Sequence, residues 1–555
     1  MSVSTQEAEP SLPALAGLLG GAILTCLFLT VLLAELGWVV HSPIPAFLLP
    51  AALAGSCLIA YGGARRSFRY PFRVTLLAAA LLIGLVTASA LISGAFYDVS
   101  FDGQAYHQEG VYQLAHGWNP FFQPYITPTT DDQNVKLICF PKGSWVIAAA
   151  MYRLTGRIET GKYANLLLMV AAFLLANAAF SRIVKRLNAW SVVMAALAAA
   201  NPVAICQILT FYVDGQMASL LLCLLALCYL GVVEESAWVS LLLFEAAVLL
   251  IEVKFTGLVY VTLLLAGYLG FLAWKKLPIR KPLYVTFLAV GLGTCIFGIN
   301  PYVFNTVRNG HPFYPFFGHG RFPKIIMTFT TPPQFLEQNR ITNLGASIFS
   351  QSRAWPIEST LKAPWQVSGE EWEAFENPDV LVGGFGPLYA AALVLALGFL
   401  AWGIGRGGGV HMVAAAVMLI LVASVLPVSA CWWARYSPQV WLLPMVALAP
   451  FGSAEAKPLP RRLASVVLLI SAVNVGGIAG VNFRANLKAT HDVADSLDDL
   501  RSHAPFKVAF GYFHSNRFRL QEAGIPFIED ESRLKCDPEV EENDDLCIEP
   551  YTPSK

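Results

Sequence analysis

Long apolar segments recur along almost the whole chain and constrain its fold more than any other feature. A helix needs about 20 mostly apolar residues to cross a bilayer. Such segments lie at residues 12–40, 44–63, 74–96, 160–180, 189–208, 217–233, 236–251, 256–274, 282–299, 382–403, 411–428, 438–451 and 463–481. We therefore expect an all-α polytopic membrane protein with about 13 transmembrane helices.

The composition agrees with a membrane protein. Charged residues make up 13% of the chain and hydrophobic residues 56%, whereas soluble domains carry about 25% charged residues. This excludes a soluble globular protein and a disordered chain. Lys plus Arg and Asp plus Glu number 37 each, and the absence of a basic excess argues against nucleic acid as a partner.

Lysine and arginine clusters predict the orientation, because they favour the cytoplasmic side of a membrane. With about 13 spans, the clusters near residues 65–73, 182–186, 275–281, 406 and 457–462 all fall on one side. We predict a multi-pass inner (cytoplasmic) membrane protein with a cytoplasmic N-terminus. The C-terminus then lies on the periplasmic or extracellular side.

Three non-membrane pieces follow from this orientation, all on the outer face. They are the loops 97–144 and 300–380 and the tail 483–555. We predict a transmembrane domain at 1–482 and a small periplasmic α/β domain at 483–555. Helices are expected at 491–501 and 516–523 and strands at 507–512 and 525–528. Cys536 and Cys547 are close enough in sequence for a disulfide in an oxidising compartment.

Acidic residues at outer helix ends are the first candidates for chemistry. Asp98 and Asp102 follow the third apolar segment, and Asp214 follows the fifth. A carboxylate held there is able to act as a general base toward an acceptor hydroxyl at the membrane surface. His107 is a candidate partner of that base. Helix capping explains the acids equally simply, and hydrogen bonding within a loop explains the histidine.

Basic residues and one tyrosine on the same face are candidates for binding a phosphate, since lysine and arginine form charge-assisted hydrogen bonds to it. A lipid-linked phosphate is the natural one near an outer leaflet. Snorkelling cations and an aromatic belt are the competing explanations. The candidates are Lys136, Lys142, Lys254, Arg308, His311, Arg353, Arg435 and Tyr436.

Taken together, these patterns resemble the GT-C superfamily of membrane glycosyltransferases. The nearest likeness is to bacterial transferases related to protein O-mannosyltransferases and lipid A aminoarabinose transferases. The resemblance covers roughly residues 74–450. It is carried by Asp102-Gly-Gln-Ala-Tyr-His107, Tyr212-Val-Asp214, Asn309-Gly-His-Pro-Phe-Tyr-Pro315, Gly383-Gly-Phe-Gly-Pro387 and Trp433-Ala-Arg-Tyr436.

The resemblance implies inverting transfer of a sugar from a polyprenyl-phosphate donor to an acceptor outside the cytoplasm, with a first-loop acid as base. The acceptor would be a cell-envelope glycan, lipid or protein, and membrane lipids would surround the enzyme. The family often has Asp-Glu where this chain has Asp102-Gly103, so the choice between Asp98 and Asp102 stays open. No cofactor is certain, and a divalent metal remains open because metal dependence varies in the superfamily. A transporter or flippase of lipid-linked saccharides and a non-catalytic membrane scaffold are the alternatives.

Overall fold

Helices occupy all of the apolar segments in the computed structural model, which describes residues 12–127, 129–185, 187–326, 330–355, 358–453, 456–510, 513–530 and 547–550. The helices are α1 (Leu12–Val39), α2 (Leu48–Ser67), α3 (Pro71–Gly94), α4 (Gln108–Ala115), α5 (Asp131–Cys139), α6 (Gly143–Thr155), α7 (Tyr163–Ile183), α8 (Ala189–Ala199), α9 (Pro202–Gln207), α10 (Asp214–Val233), α11 (Ala237–Val253), α12 (Phe255–Trp274), α13 (Arg280–Cys295), α14 (Tyr302–Asn309), α15 (Arg340–Ile348), α16 (Gly369–Glu373), α17 (Tyr389–Gly405), α18 (Gly409–Val425), α19 (Leu443–Leu448), α20 (Pro458–His503) and α21 (Asn516–Glu522).

The all-α polytopic prediction is confirmed, with fewer full-length spans than expected. Within the described residues, seven helices are long and apolar enough to cross a membrane, and the pair Arg280–Cys295 and Phe297–Asn309, bent by 42°, makes an eighth. The remaining predicted spans form helices of 17 residues or fewer, and turns or 3₁₀ segments divide two of them. Asn201 and Pro202, for example, end one predicted span at Ala199 and start a new helix.

The helix bundle is arranged around α1 and α10. In the most apolar window of α1, 78% of the residues are buried, whereas the corresponding value for α3 is 33%. Helix α1 packs against α2, α7 and α11, and α10 packs against α7, α9 and α11. Helices that are apolar all round, such as α1, belong in the protein interior, and those with an exposed apolar face belong at the lipid boundary.

Two irregular segments carry residues of the site. A π-helical turn, Gly103–His107, precedes α4 in the first outer loop. A 3₁₀ turn, Ala434–Tyr436, follows α18, and further 3₁₀ turns lie at Ile158–Lys162, Phe297–Ile299, Pro333–Phe335, Ala374–Glu376, Pro438–Leu442 and Ala449–Gly452. Single π turns are frequent at functional sites because they redirect the side chains around them.

The C-terminal unit contains the predicted α/β elements. Strands β1 (Phe506–Ala509), β2 (Phe527–Glu529) and β3 (Cys547–Pro550) form a sheet of order β2-β1-β3, in which β1 pairs parallel with β2 and antiparallel with β3. Phe506 lies opposite Phe527 and Pro550. Their apolar core includes Leu497, Val508, Phe510, Leu520 and Ile525.

The boundary predicted between residues 482 and 483 lies inside α20, which runs unbroken for 46 residues from the bundle into this unit. Strand β3 was not predicted. Cys536 and most of the acidic run before β3 lie outside the described residues.

Candidate functional site

Arg435 joins three carboxylates that come from distant parts of the chain. Its Nη2 donates to Asp102 Oδ2 at 2.8 Å, its Nε to Asp214 Oδ2 at 2.9 Å and its Nη1 to Asp379 Oδ2 at 2.5 Å. The rigid fork of a guanidinium suits such a three-way contact. The arginine is itself nearly buried, with 9% of its side chain exposed. We call these residues together with Lys254 the Arg435 cluster.

Lys254 supplies the second cation of the cluster. It lies at the junction of α11 and α12 and pairs with Asp214 Oδ1. Asp214 opens α10, where the helix dipole favours a negative charge, and Gln207 donates to the same carboxylate. The side chain of Asp214 is 0% exposed. Its fixed partners make it a structural centre of the cluster, with little freedom to meet a substrate.

Aromatic rings surround both cations. The guanidinium carbon of Arg435 lies 4.7 Å from the ring centroid of Tyr212, and Lys254 Nζ lies 4.0 Å from that of Tyr436. Trp433 packs against Arg435 and donates from Nε1 to Asp379 Oδ1 at 2.9 Å. Cation–π contacts of this kind hold a cation in place without neutralising it.

Asp98 and Asp102 have different environments, although only three residues separate them. Asp98 accepts hydrogen bonds from the backbone amides of Ser100 and Phe211, at 2.8 and 2.6 Å, and is fully buried. Asp102 lies on the cavity wall with 20% of its side chain exposed. Burial alone would raise the pKa of Asp102, but the charge of Arg435 and its hydrogen bond hold it below its usual value.

The packing around Asp98 requires a glycine at position 103. A Cβ at this position would lie 2.2 Å from Asp98 Oδ2 and 2.4 Å from Ser100 Oγ. No side chain fits there while Asp98 holds the loop to Phe211. The geometry therefore gives Asp98 the task of shaping the loop, and it leaves Asp102 as the acid that a substrate can reach.

His107 lines the cavity, and a tryptophan fixes the tautomer of its ring. Trp145 Nε1 donates to His107 Nδ1 at 2.7 Å, so the neutral imidazole carries its proton on Nε2. This Nε2 is buried and has no hydrogen-bond partner among the described residues. Burial lowers the pKa of His107 to about 4, so the ring is neutral near pH 7.

Four members of the cluster, all except the buried Asp214, line a cavity of about 1220 Å³. Aromatic and aliphatic side chains make up most of the lining, among them Phe140, Phe255 and Phe316. Five cationic side chains also line it, namely Lys136, Lys254, Lys324, Arg340 and Arg435. A large apolar cavity with a few convergent charges is typical of a site for an amphiphilic ligand.

Of the predicted site residues, the structure brings Asp102, Asp214, Lys254, Arg435 and Tyr436 together. His107 and Lys136 also line the cavity. Lys136 pairs with Asp132 at 3.0 Å.

The other predicted residues lie elsewhere. Lys142 is buried on the carbonyls of Ile138 and Phe140 and on Asn300, and burial lowers its pKa to about 7. Arg308 packs on the ring of Phe304, His311 Nδ1 accepts from the amide of Phe313, and Arg353 bonds to Gln351. These contacts explain the side chains as parts of the loop structure.

Asp379 was missed by the sequence reasoning. It is one of seven acids in the second outer loop, two residues after Asn377, and no periodicity or motif distinguishes it from the others. Burial raises its pKa to about 6 even though Arg435 opposes this, and the neighbouring charges of Asp102 and Asp214 add to the increase. Lys324 and Arg340, which line the cavity, were missed for the same reason.

A divalent metal does not fit the arrangement of these side chains. Within the described part of the chain, no group of three or more His, Cys, Asp and Glu residues is placed to hold a metal ion. The carboxylates that converge here point their oxygens at the guanidinium of Arg435, which takes the central position.

Comparison with known proteins gives one solved structure to report. The crystal structure of ArnT from Cupriavidus metallidurans bound to undecaprenyl phosphate is similar, with 13% identity, a TM-score of 0.46, and coverage of 82% of this chain and 86% of that chain. No family model matches the chain, and no curated protein matches it.

Proposed function

We propose that the protein is a glycosyltransferase that moves a sugar from a polyprenyl-phosphate donor to an acceptor on the extracytoplasmic face. The observation that carries the proposal is the Arg435 cluster on the wall of the large apolar cavity. The apolar walls suit a polyprenyl chain, and Lys254 and Arg435 suit its phosphate. The partly exposed carboxylate of Asp102 suits an acceptor hydroxyl.

The proposed reaction is a single displacement at the anomeric carbon. Asp102 takes the proton of the acceptor hydroxyl while its oxygen attacks the anomeric carbon from the face opposite the phosphate. The bond between that carbon and the phosphate oxygen breaks, and the polyprenyl phosphate leaves with the electron pair. One displacement inverts the anomeric configuration.

Arg435 links donor binding to the strength of the base. In the described pairing, its charge holds the pKa of Asp102 low and makes the carboxylate a weak base. A donor phosphate that engages Arg435 weakens this ion pair, so the pKa of Asp102 rises when the donor is in place. Lys254 and Arg435 then also stabilise the charge that develops on the leaving phosphate.

The neutral His107 adds a donor on the same wall. With Nδ1 occupied by Trp145, its Nε2–H is free to bond to an oxygen of the phosphate or the sugar. This role replaces the sequence-based expectation of a partner base, since the imidazole lone pair is already used.

The test is donor turnover by the purified protein in lipid nanodiscs. A panel of undecaprenyl-phosphate sugars is incubated with envelope glycan, lipid and peptide acceptors, and the released undecaprenyl phosphate is measured by chromatography. This readout is common to every acceptor. We expect Asp102→Asn to lower turnover by about 10²–10⁴-fold, the usual contribution of a general base.

Asp131→Asn is the matched control, because it removes an exposed acid from the same loop. It should turn over normally. Full activity in a well-folded Asp102→Asn protein would remove Asp102 from the mechanism. Movement of an intact lipid-linked saccharide across the bilayer, without sugar release, would instead favour a flippase.

A further inference from the structure

The Arg435 cluster contains more negative than positive charge. Three carboxylates, those of Asp102, Asp214 and Asp379, share the charges of Arg435 and Lys254. Formally the cluster carries one net negative charge. The exposed fractions of these side chains run from 0% for Asp214 to 20% for Asp102. Water therefore screens the charges poorly, and their mutual interactions are strong.

A donor phosphate would bring a further negative charge to this cluster. A phosphodiester is singly charged at all pH values near neutral, so its arrival beside Arg435 doubles the net negative charge. Like charges held close together in a desolvated site raise one another's pKa until one of them takes a proton. The added negative charge can be compensated in two ways. Either one carboxylate takes up a proton, or one carboxylate moves away from Arg435.

We propose that Asp379 is the residue that takes up this proton when the donor binds. In the free protein the carboxylate of Asp379 pairs with Nη1 of Arg435. In the complex Asp379 is protonated and neutral, and Nη1 pairs with the phosphate instead. The inference rests on the proposed function, because it assumes a phosphate at this cluster. It makes Asp379 a direct participant in donor binding.

The contacts of the three acids favour Asp379 over the other two. Asp214 is held by Lys254, Arg435 and Gln207 together, so its charge is compensated even after Arg435 engages a phosphate. Asp102 has to stay anionic to act as a base. Within the described part of the chain, Arg435 is the one cation that pairs with Asp379, and Trp433 holds its other oxygen in place.

The free-state pKa of about 6 for Asp379, raised first by burial, supports the assignment. The groups that face it come from four parts of the fold. Asp102 lies on the first outer loop and Cys206 on α9. Tyr212 and Asp214 lie at the start of α10. Arg435 lies in the 434–436 turn, and Trp433 directly precedes that turn. Electrostatic or direct contacts tie each of them to Asp379.

Tyr212 and Cys206 do not compete for the proton, because the phenol and the thiol are already protonated near neutral pH. Burial raises the pKa of Tyr212 well above its ordinary value. His107 and Asp102 are the competitors. His107 is neutral in the free protein and would gain a charge if the phosphate raised its pKa enough, and the pKa of Asp102 rises when Arg435 engages the phosphate. The experiment must therefore separate Asp379 from both.

The sign of the pH effect follows from linkage. Phosphate binding raises the pKa of Asp379 above its free value of about 6. Below that value the group is already protonated and affinity does not change with pH. Above it, binding consumes one proton, so affinity falls by up to about tenfold for each pH unit until the pKa of the bound state is passed.

The probe is the methyl ester of a short polyprenyl phosphate, a phosphodiester whose charge stays constant between about pH 5 and 9. Its Kd is measured on the full chain in nanodiscs from pH 5.5 to 8. We expect Kd to be flat at the acid end and to rise by up to tenfold per unit above about pH 6. Calorimetry in two buffers of different ionisation enthalpy should show close to one proton taken up by the unmodified protein at pH 7.

Asp379→Asn should bind the diester with a Kd that no longer changes across this range and that equals the acid-side value of the unmodified protein. Glu376→Gln is the matched control, since it removes an exposed acid of the same loop and should keep the pH dependence. An unchanged slope in a folded Asp379→Asn protein would assign the proton elsewhere, to His107 first, and overturn the inference.

Zero proton uptake by the unmodified protein would also overturn it, and this measurement needs no variant. Failure of the diester to bind at any pH is a different result. It would remove the donor site itself and with it the proposed function.

Discussion

Gly103 is the residue that allows two neighbouring acids to have separate tasks. Its missing side chain leaves room for the carboxylate of Asp98, which fastens the loop to Phe211. The following π turn then presents Asp102 toward Arg435. From sequence alone Asp102 was the better match to the first-loop acid, but the choice stayed open, because both acids follow a span by a few residues. Tertiary contacts distinguish them, that of Asp98 with Phe211 and that of Asp102 with Arg435.

Gly103→Ala should destabilise the protein, because the new methyl group would overlap Asp98 Oδ2 and Ser100 Oγ. Overpacking of this kind typically costs about 1–3 kcal/mol. The measurement is thermal unfolding in detergent. Gly84→Ala is the control: Gly84 is a helical glycine, and a Cβ added there would have no neighbour within 4 Å. Its replacement should leave the midpoint unchanged or slightly higher. Equal midpoints for the Gly103 variant and the unmodified protein would contradict the proposed role of Asp98.

Helices were the elements best predicted from the sequence, since a bilayer-length apolar segment has few other ways to satisfy its backbone. Segment lengths were less well predicted, because hydropathy does not register a cap such as Asn201 inside an apolar run. Candidate residues could be selected from the sequence where they lay near the end of a predicted span or in an aromatic motif, as for Asp214 and Arg435. Asp379 comes from an irregular loop, where no period exists to reveal which way a side chain points.

The C-terminal unit reaches the loop that carries Asp102, a contact that no pattern in the sequence indicates. Arg519 on α21 is nearly buried and donates to the carbonyl of Asp98 and to Gln104 Oε1. Glu522 accepts from the amide of Ile158 at 2.7 Å. Phe513, in the same unit, lines the cavity. The tail is thus part of the support of the site as well as a small α/β unit.

Arg519→Ala should loosen the tail and lower the activity together. Hydrogen bonds that involve a charged donor contribute about 1.5–3 kcal/mol each, and their loss leaves the buried carbonyl of Asp98 without this partner. We expect faster proteolysis beyond α20 and a fall in kcat larger than any rise in the donor KM, because the base is displaced while the cations stay. Limited proteolysis and donor turnover measure the two effects.

Arg484→Ala provides the comparison, since Arg484 lies exposed on α20 and donates to the carbonyl of Gly480 in the same helix. Surface substitutions of this kind usually change stability by about 0.5 kcal/mol or less. In this variant the segment after α20 should resist proteolysis as well as it does in the unmodified protein. An Arg519 variant with a resistant tail and normal turnover would show that the contact does not support the site.

Across the whole molecule, α20 extends from the basic end of the bundle to the end that carries the site. Its 46 residues span about 69 Å at 1.5 Å per residue, more than twice the roughly 30 Å of a hydrocarbon core. Arg461 and Arg462 lie in its first turns, and the C-terminal unit that contacts the Asp98 loop follows its last turn. The helix therefore carries the chain from the basic end to the site end and beyond the bilayer.

This arrangement predicts opposite accessibility for the two ends of one helix. Leu459 and Ser502 are exposed near the start and the end of α20. In spheroplasts, a membrane-impermeant maleimide should label Ser502→Cys at once and Leu459→Cys only after the membrane is opened. The unmodified protein, which contains ten cysteines, sets the background signal. The reverse pattern would place the Arg435 cluster on the cytoplasmic side, where an acceptor of the cell envelope does not reach it, and the proposed transfer reaction would have to be abandoned.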